Sequence, residues 1–242
     1  MRIPLPSSLD PVVLIARAFG PLVSEVVFLG GAILPLLVTD TAAAPARGTD
    51  DVDVVIEAQS RPEYYEFESS LRTRGFRNDT SEGAPLCRWI FEGIKVDVMP
   101  DDPKILGFSN TWYREVLGSA VPVDLVQDLT IRLISPTAFL ATKFEAFWDP
   151  QRGAGDFAGS KDLEDVIALV DGRPELDEEI RDAGGEIQSY LGKAFQDLLD
   201  NPRFHEALPG HFPGDAAGQA RLPRAVALLR TWAEELPKRD CP

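Results

Sequence analysis

The sequence predicts a mixed α/β (α+β) fold, with a sheet-bearing N-terminal portion over 1–134 and a mainly helical C-terminal portion over 135–242. Three observations predict it. Val52–Ile56 is β-branched and alternates polar with apolar at its start, the mark of a strand. The apolar runs 86–91 and 94–99 flank the turn pair Glu92-Gly93, a hairpin signal. From Pro136 onward the apolar residues recur at helical spacing.

In chain order, residues 22–29 (LVSEVVFL) read as a short buried strand that stops at Gly30-Gly31. The run 32–38 suits a short apolar helix in which Pro35 must lie in the first turn, where its missing N–H costs nothing. Residues 39–50, rich in Ala, Thr and Pro, form a loop before the 52–56 strand. Pro62 opens an amphipathic helix that ends near Gly75 and carries Tyr64, Tyr65, Phe67 and Leu71. The hairpin comes next, then a helix over 110–117 and extended chain over 120–134. Helices are expected at 137–148, 162–170, 175–199 (broken at Gly184-Gly185) and 216–236.

Composition bounds the function. The 242 residues carry 24 Lys+Arg against 39 Asp+Glu, a net charge of −15 spread evenly over both portions, which argues against indiscriminate nucleic-acid binding. No apolar run approaches the ~18–20 residues of a membrane span. The N-terminus has no signal-peptide pattern, and Cys87 and Cys241 make neither a disulfide framework nor a metal motif, so a reducing cytoplasm fits. His205 and His211 have no acid at ligand spacing and read as surface or packing residues. The basic cluster Arg72, Arg74, Arg77 and Arg88 is expected to balance Glu66, Glu68 and Glu82, with the lining of an acceptor groove as the alternative.

The chemistry centres on acids in strands. Asp51 and Asp53 stand at i and i+2 of one strand and therefore share a face, where two like charges repel. Asp97 is an isolated acid in the apolar strand 94–99. Should that strand lie beside the first, three carboxylates converge, and hard oxygen ligands of that kind suit Mg²⁺, two ions in the arrangement used for displacement at phosphorus. Gly30-Gly31, at a strand-to-helix turn, supplies backbone N–H groups for a triphosphate. The plainer reading is that Asp51 and Asp53 simply flank a strand end at solvent. Lys143 is a rare polar residue in an apolar helix, and it either snorkels to the surface or meets a charged ligand. Asp162 and Asp165 either serve the start of the next helix or address the site. The Gly-rich stretch 149–160 is expected to be a closing loop with Arg152 as a phosphate contact, or else a connector. Its formal match to a dinucleotide fingerprint is rejected, because a helix and not a strand precedes it.

Taken together, Gly30-Gly31, Thr49-Asp50-Asp51-Val52-Asp53 and Val96-Asp97-Val98 resemble the signature of nucleotidyltransferase-fold proteins. Lys143 with Lys161-Asp162-Leu163-Glu164-Asp165 brings the resemblance closer to the AbiEii/AbiGii toxin-like branch, over residues 22–173. The loop between Gly31 and Asp51 is longer than that family's usual spacing. The resemblance implies a nucleotidyltransferase-like mixed sheet and transfer of a nucleoside monophosphate from an NTP to an acceptor hydroxyl, with Mg²⁺. By position it makes Asp51 and Asp53 metal ligands, and Asp97 a third ligand or the base for the acceptor. Lys143 would meet the triphosphate; Asp162 or Asp165 would orient that lysine or contact the nucleotide. The acceptor is a tRNA, a protein or a small molecule, and a toxin would bring an antitoxin partner. Two other readings stay open: a small-molecule, aminoglycoside-type transferase, and a non-catalytic nucleotide-binding protein of the same fold.

Overall fold

A computed structural model describes residues 6–152 and 154–237. Two compact units emerge: one holds Arg47–Ser135 and the chain up to Pro35, the other holds Leu36–Ala46 and the chain from Pro136 on.

The first unit is built on a seven-stranded mixed sheet. Helix α1 (Asp10–Phe19) leads through a 3-10 turn into β1 (Val26–Leu29), so the expected strand over 22–29 forms only in its second half. After the glycines come a 3-10 turn and the single helical turn α2 (Leu34–Leu37), with Pro35 in its first turn. Strand β2 (Asp51–Ile56) is followed by α3 (Arg61–Thr73), which Ser60 caps by accepting from the Glu63 N–H. Strands β3 (Arg77–Asn78), β4 (Arg88–Phe91) and β5 (Ile94–Pro100) come next. The β4–β5 turn places both Glu92 (φ 47°) and Gly93 (φ 87°) in the left-handed region, the geometry a two-residue hairpin loop requires. Helices α4 (Pro103–Leu106) and α5 (Tyr113–Ser119) precede the hairpin β6 (Val121–Val126) and β7 (Leu129–Leu133).

Strand order is β3-β4-β5-β2-β1-β7-β6. Strand β2 runs antiparallel to β1 and parallel to β5, and β1 runs parallel to β7. One sheet face is a core: Val52, Val54, Val96, Val98 and Trp89 are fully buried at positions alternating with the acids. Helix α3 covers it, with the Tyr64 hydroxyl donating to the Val98 carbonyl at 2.9 Å and the Arg72 guanidinium 5.0 Å from the centre of the Trp89 ring. Phe19 of α1 stacks on Phe76 with ring centres 5.3 Å apart.

The second unit is helical: α6 (Pro136–Trp148), α7 (Lys161–Gly172), α8 (Leu176–Asp182), α9 (Gly185–Leu199), α10 (Pro202–Ala207), α11 (Ala216–Gln219) and α12 (Leu222–Glu235). The chain breaks between α8 and α9 at Ala183-Gly184, one residue before the expected Gly184-Gly185 break, since Gly185 already opens α9, and the expected 216–236 helix is divided near Ala220. Aromatic contacts join the helices of this core, Phe144 to Phe195 at 5.3 Å and Phe195 to Trp232 at 5.1 Å between ring centres. The segment after α2 docks here, since Thr39 and Asp40 both donate their N–H to the Gly172 carbonyl. Arg221 clamps that junction by donating to Asp40 at 2.6 Å and to Asp171 at 2.8 Å. The long Ala/Pro loop thus has a packing role at the end of α7. No helix among the described residues is long and apolar enough to cross a membrane.

Tyr64→Phe keeps the ring and deletes its buried bond to the Val98 carbonyl. A loss of about 1 kcal/mol is expected by urea denaturation.

Candidate functional site

Strand pairing decides where the acids go. Asp53 lies directly opposite Asp97 across β2–β5, Asp97 opposite Arg88 across β5–β4, and Leu29 opposite Asp53 on the other side. Residues paired this way share a face, so the row reads Arg88–Asp97–Asp53, ending at the Gly30 turn that closes β1. Two residues along β2, Asp51 sits on the same face opposite Lys95. The expected convergence of Asp51, Asp53 and Asp97 on one face is therefore present.

What neutralises them was not expected. Arg88 donates from Nε to Asp97 Oδ1 at 2.8 Å and from Nη2 to Asp97 Oδ2 at 2.6 Å, a bidentate pair. The same Nη2 lies 3.9 Å from Asp51 Oδ2. Hydrogen bonding to Asp97 holds the Arg88 guanidinium above its ordinary range, against the opposing effect of burial. Burial, with the Asp97 charge adding to it, pushes the Cys87 thiol up to about 12, so Cys87 is a small buried residue as the sequence suggests. The expected role of the basic cluster is thereby corrected: Arg72 does pair with Glu68 at 3.3 Å, but Arg88 belongs to the acidic face. A signal existed for this. Counting outward equally from Glu92-Gly93 puts Arg88 opposite Asp97, because a two-residue turn fixes the register.

The chemistry of the donor set can be judged against a divalent cation. Asp51 has a side chain 41% exposed, and Asp53 shares its face, so both are hard oxygen donors within reach of solvent. Asp97 is different, since both of its oxygens accept from Arg88. Among the described residues no three of His, Cys, Asp and Glu are arranged to hold a metal ion. Asp51 and Asp53 have the hard oxygen chemistry a divalent cation takes, but the three-carboxylate set does not fit one while Arg88 holds Asp97.

Gly30 is dictated twice over. Its φ of 77° lies in the left-handed region, and a methyl group added there would overlap the Asp53 carboxylate. The turn therefore packs directly on the acid. Gly31 is buried and begins the 3-10 turn, so the glycine pair leads into a tight turn and not into a long helix with a strong dipole.

Lys143, Asp162 and Asp165 come together in the helical unit. The Lys143 ammonium on α6 lies 3.0 Å from Asp162 Oδ1 and 2.7 Å from Asp165 Oδ2, both on α7. Lys143 is 9% exposed and Asp165 fully buried, so snorkelling to the surface is ruled out. Burial alone would lower this ammonium, but attraction by Asp165 and Asp162 outweighs it and the group is held above its ordinary 10.5. The cap of α7 is Ser160, whose hydroxyl oxygen accepts from the Leu163 N–H, which leaves Asp162 available to the lysine. Of the remaining expectations, Arg152 lies in a 3-10 turn, Pro150–Arg152. Its side chain, Gly153 and Cys241 lie outside the described residues.

Sequence reasoning also passed over a cleft of about 590 Å³ at the carboxyl ends of β2 and β5, lined by Glu57, Gln59, Asp101, Asp102, Arg114 and Arg132 among others. None of the expected site residues lines it.

No family model and no curated protein matches the chain. Among solved structures it is similar to an antigenic nucleotidyltransferase-like protein from Paracoccidioides brasiliensis, at 21% identity and TM-score 0.44 over 85% of this chain and 95% of that one. It is also similar to JHP933 from Helicobacter pylori, at 12% identity and TM-score 0.49 over 96% of both chains. A third is the antibiotic-resistance factor ANT(2'')-Ia, at 14% identity and TM-score 0.46 over 83% and 97%.

This geometry makes two substitutions informative. Gly30→Ala forces both a strained φ and a shift of Asp53, and is expected to cost about 1–3 kcal/mol in chemical denaturation. Lys143→Met strands the buried Asp165 and is expected to cost about 3–5 kcal/mol, most of it recovered by adding Asp165→Leu. Because the folded-state ammonium titrates above its unfolded value, its stabilisation is complete below pH ~10 and fades only as pH rises through the raised value. The Lys143→Met loss should therefore be the same at pH 7 and pH 9.

Proposed function

We propose that this chain is a nucleotidyltransferase that moves a nucleoside monophosphate from an NTP to an acceptor hydroxyl. One observation carries the reading: Asp53, with Asp51 beside it, stands in parallel register with Asp97, directly under a glycine turn that leaves room for nothing larger. Such a face brings carboxylates to bear on a phosphate cradled by backbone N–H groups. The acceptor oxygen attacks the α-phosphorus of the NTP, its bond to the β-phosphate breaks, and pyrophosphate leaves. The acceptor proton passes to a carboxylate, with Asp97 assigned to receive it once Arg88 withdraws. Asp51 and Asp53 would hold Mg²⁺, which when bound neutralises the triphosphate and polarises its phosphorus–oxygen bonds. Gly30 and Gly31 line the phosphates. Lys143, Asp162 and Asp165 serve the reading by fixing α6 to α7; a triphosphate contact by Lys143 would draw on an ammonium already shared by two acids.

A net charge of −15 favours a cationic small acceptor, as in the aminoglycoside-type reading, over RNA bound at large. A toxin acting on tRNA or on a protein hydroxyl is the alternative acceptor class, and it would arrest growth on expression only with Asp53 intact. The bidentate Arg88–Asp97 pair supports a second reading, nucleotide binding without turnover.

The test is NTP binding by calorimetry and pyrophosphate release with Mg²⁺ over acceptors of each class. Turnover in wild type and a loss of about 100-fold or more in Asp53→Asn, with its melting temperature kept, is the expected result. Binding without pyrophosphate release from any acceptor points to the second reading, and no NTP binding at all sinks both.

A further inference from the structure

The cleft at the carboxyl ends of β2 and β5 lies within the first unit, and its charged groups are tied to backbone and not to one another. Arg132 pairs with Val27 and Val27 with Val55, so all three share the sheet face that carries Asp53. Glu57 stands four residues beyond Asp53, roughly 13 Å along the chain at the rise of a strand. Helix α5 packs on that face in between, where the Tyr113 hydroxyl donates to Met99 Sδ at 2.9 Å. Arg132 donates from Nη2 to the Leu117 carbonyl at 2.8 Å and has no carboxylate partner among the described residues. Asp101 Oδ1 accepts from the Ala58 N–H at 3.0 Å, and Asp102 Oδ1 accepts from the Lys104 N–H at 2.8 Å as the cap of α4. Glu57 is exposed, and its carboxylate has no ion pair among the described residues. The charges meet only where Arg114 Nε lies 3.7 Å from Asp101 Oδ2, with the Arg114 side chain 78% exposed. Backbone anchors thus hold opposite charges apart, which preorganises them for a ligand that carries both signs.

The balance of charge says which ligand. With Arg114 and Asp101 set against each other, the lining keeps two carboxylates, Glu57 and Asp102, and one guanidinium, Arg132. The complement is a molecule with two positive groups and one anion. Ala58 and Leu117 are the only apolar side chains in the lining, so the ligand is polar throughout. A volume of about 590 Å³ is ample for a small molecule of that kind. We propose that this cleft binds a free basic α-amino acid, its carboxylate on Arg132 and its α-ammonium and side-chain cation on Glu57 and Asp102. The bond to Leu117 uses a single N–H of the Arg132 guanidinium and leaves the others to grip a carboxylate. Gly118 gives the cleft a bare wall. A Cβ built there meets nothing within 4 Å, so a larger side chain would narrow the cleft without removing a charge. This site goes beyond nucleotidyl transfer and does not rest on it.

The experiment titrates L-lysine and L-arginine into the full chain by calorimetry, free of nucleotide and of divalent cation. Wild type is expected to bind at least one of them. Cadaverine, which lacks the carboxylate, and Nα-acetyl-L-lysine, which lacks the α-ammonium, should each bind on the order of tenfold more weakly than L-lysine, as loss of one charge-assisted contact requires. Glu57→Gln and Gly118→Leu change exposed positions and should keep the melting temperature while weakening the amino acid on the order of tenfold. Arg132→Gln should erase the preference for L-lysine over cadaverine, a change that a merely structural role would not produce. Failure of wild type to bind either amino acid overturns the proposal. Binding unchanged in both Glu57→Gln and Gly118→Leu places the ligand elsewhere and overturns it too. Nα-acetyl-L-lysine binding as tightly as L-lysine overturns the free amino acid in favour of a basic residue at the carboxyl end of a peptide. Each of these outcomes leaves the nucleotidyl-transfer reading to its own test, pyrophosphate release.

Discussion

Placing Asp53 and Asp97 side by side in a parallel ladder is the constraint around which the first unit is arranged. Like charges directly opposite on neighbouring strands repel, and neither residue can turn away without breaking the alternation that buries Val52, Val54, Val96 and Val98 behind them. The repulsion must be met on the spot. Arg88 meets it from β4, Lys95 adds a charge opposite Asp51, and the Gly30 turn fits against Asp53 because it has no side chain of its own. The hairpin turn at Glu92-Gly93, the burial of Trp89 and the α3 cover all serve to hold β4 in the register that keeps Arg88 on Asp97.

The helical unit meets the same problem with the signs redistributed. Here two acids of α7 share one lysine of α6, and the cluster is sealed: Asp165 has no exposure and Lys143 almost none. A buried ion pair of this kind is poor evidence of net stabilisation, yet removing one member is costly because the other is left charged in an apolar setting. It specifies how α6 lies on α7 more than how firmly.

Much of this was legible from the chain. The alternation in 51–56, the turn pair at 92–93 and the isolated Asp97 suffice to bring three acids to one face, since each is a local signal with a fixed period. Lys143 and the two acids of α7 were visible as oddities, and only the family resemblance suggested that Asp162 or Asp165 would orient the lysine, because nothing local says which face of α6 meets α7. Helix α1 buries Val12, Ile15, Ala16 and Phe19 at helical spacing, a signal the sequence reading passed over, whereas the short strand β3 and helix α10 lack periodic runs and depend on tertiary packing for their existence. The docking of 36–46 on the end of α7 rests on Arg221, some 180 positions away from Asp40, a separation no pattern in the sequence bridges. Arg88 is the instructive case. Its place was computable from the turn, but composition suggested glutamates nearer in sequence, and proximity along the chain was the weaker guide.

Exposure separates the two clusters by what they can do. Each has acids outnumbering bases, so each retains attraction for one more positive charge. In the α6–α7 cluster that attraction is out of reach, because an ion could enter only by parting the helices and uncovering Asp165. On the sheet, Asp51 stands 41% open to solvent beside a guanidinium attached to a short strand near the edge. The net charge of −15 therefore says little about either cluster, since the acids Asp97, Asp162 and Asp165 are paired with bases. What distinguishes the two clusters is exposure: on the sheet the guanidinium lies beside an acid open to solvent, whereas between the helices the lysine and Asp165 are sealed.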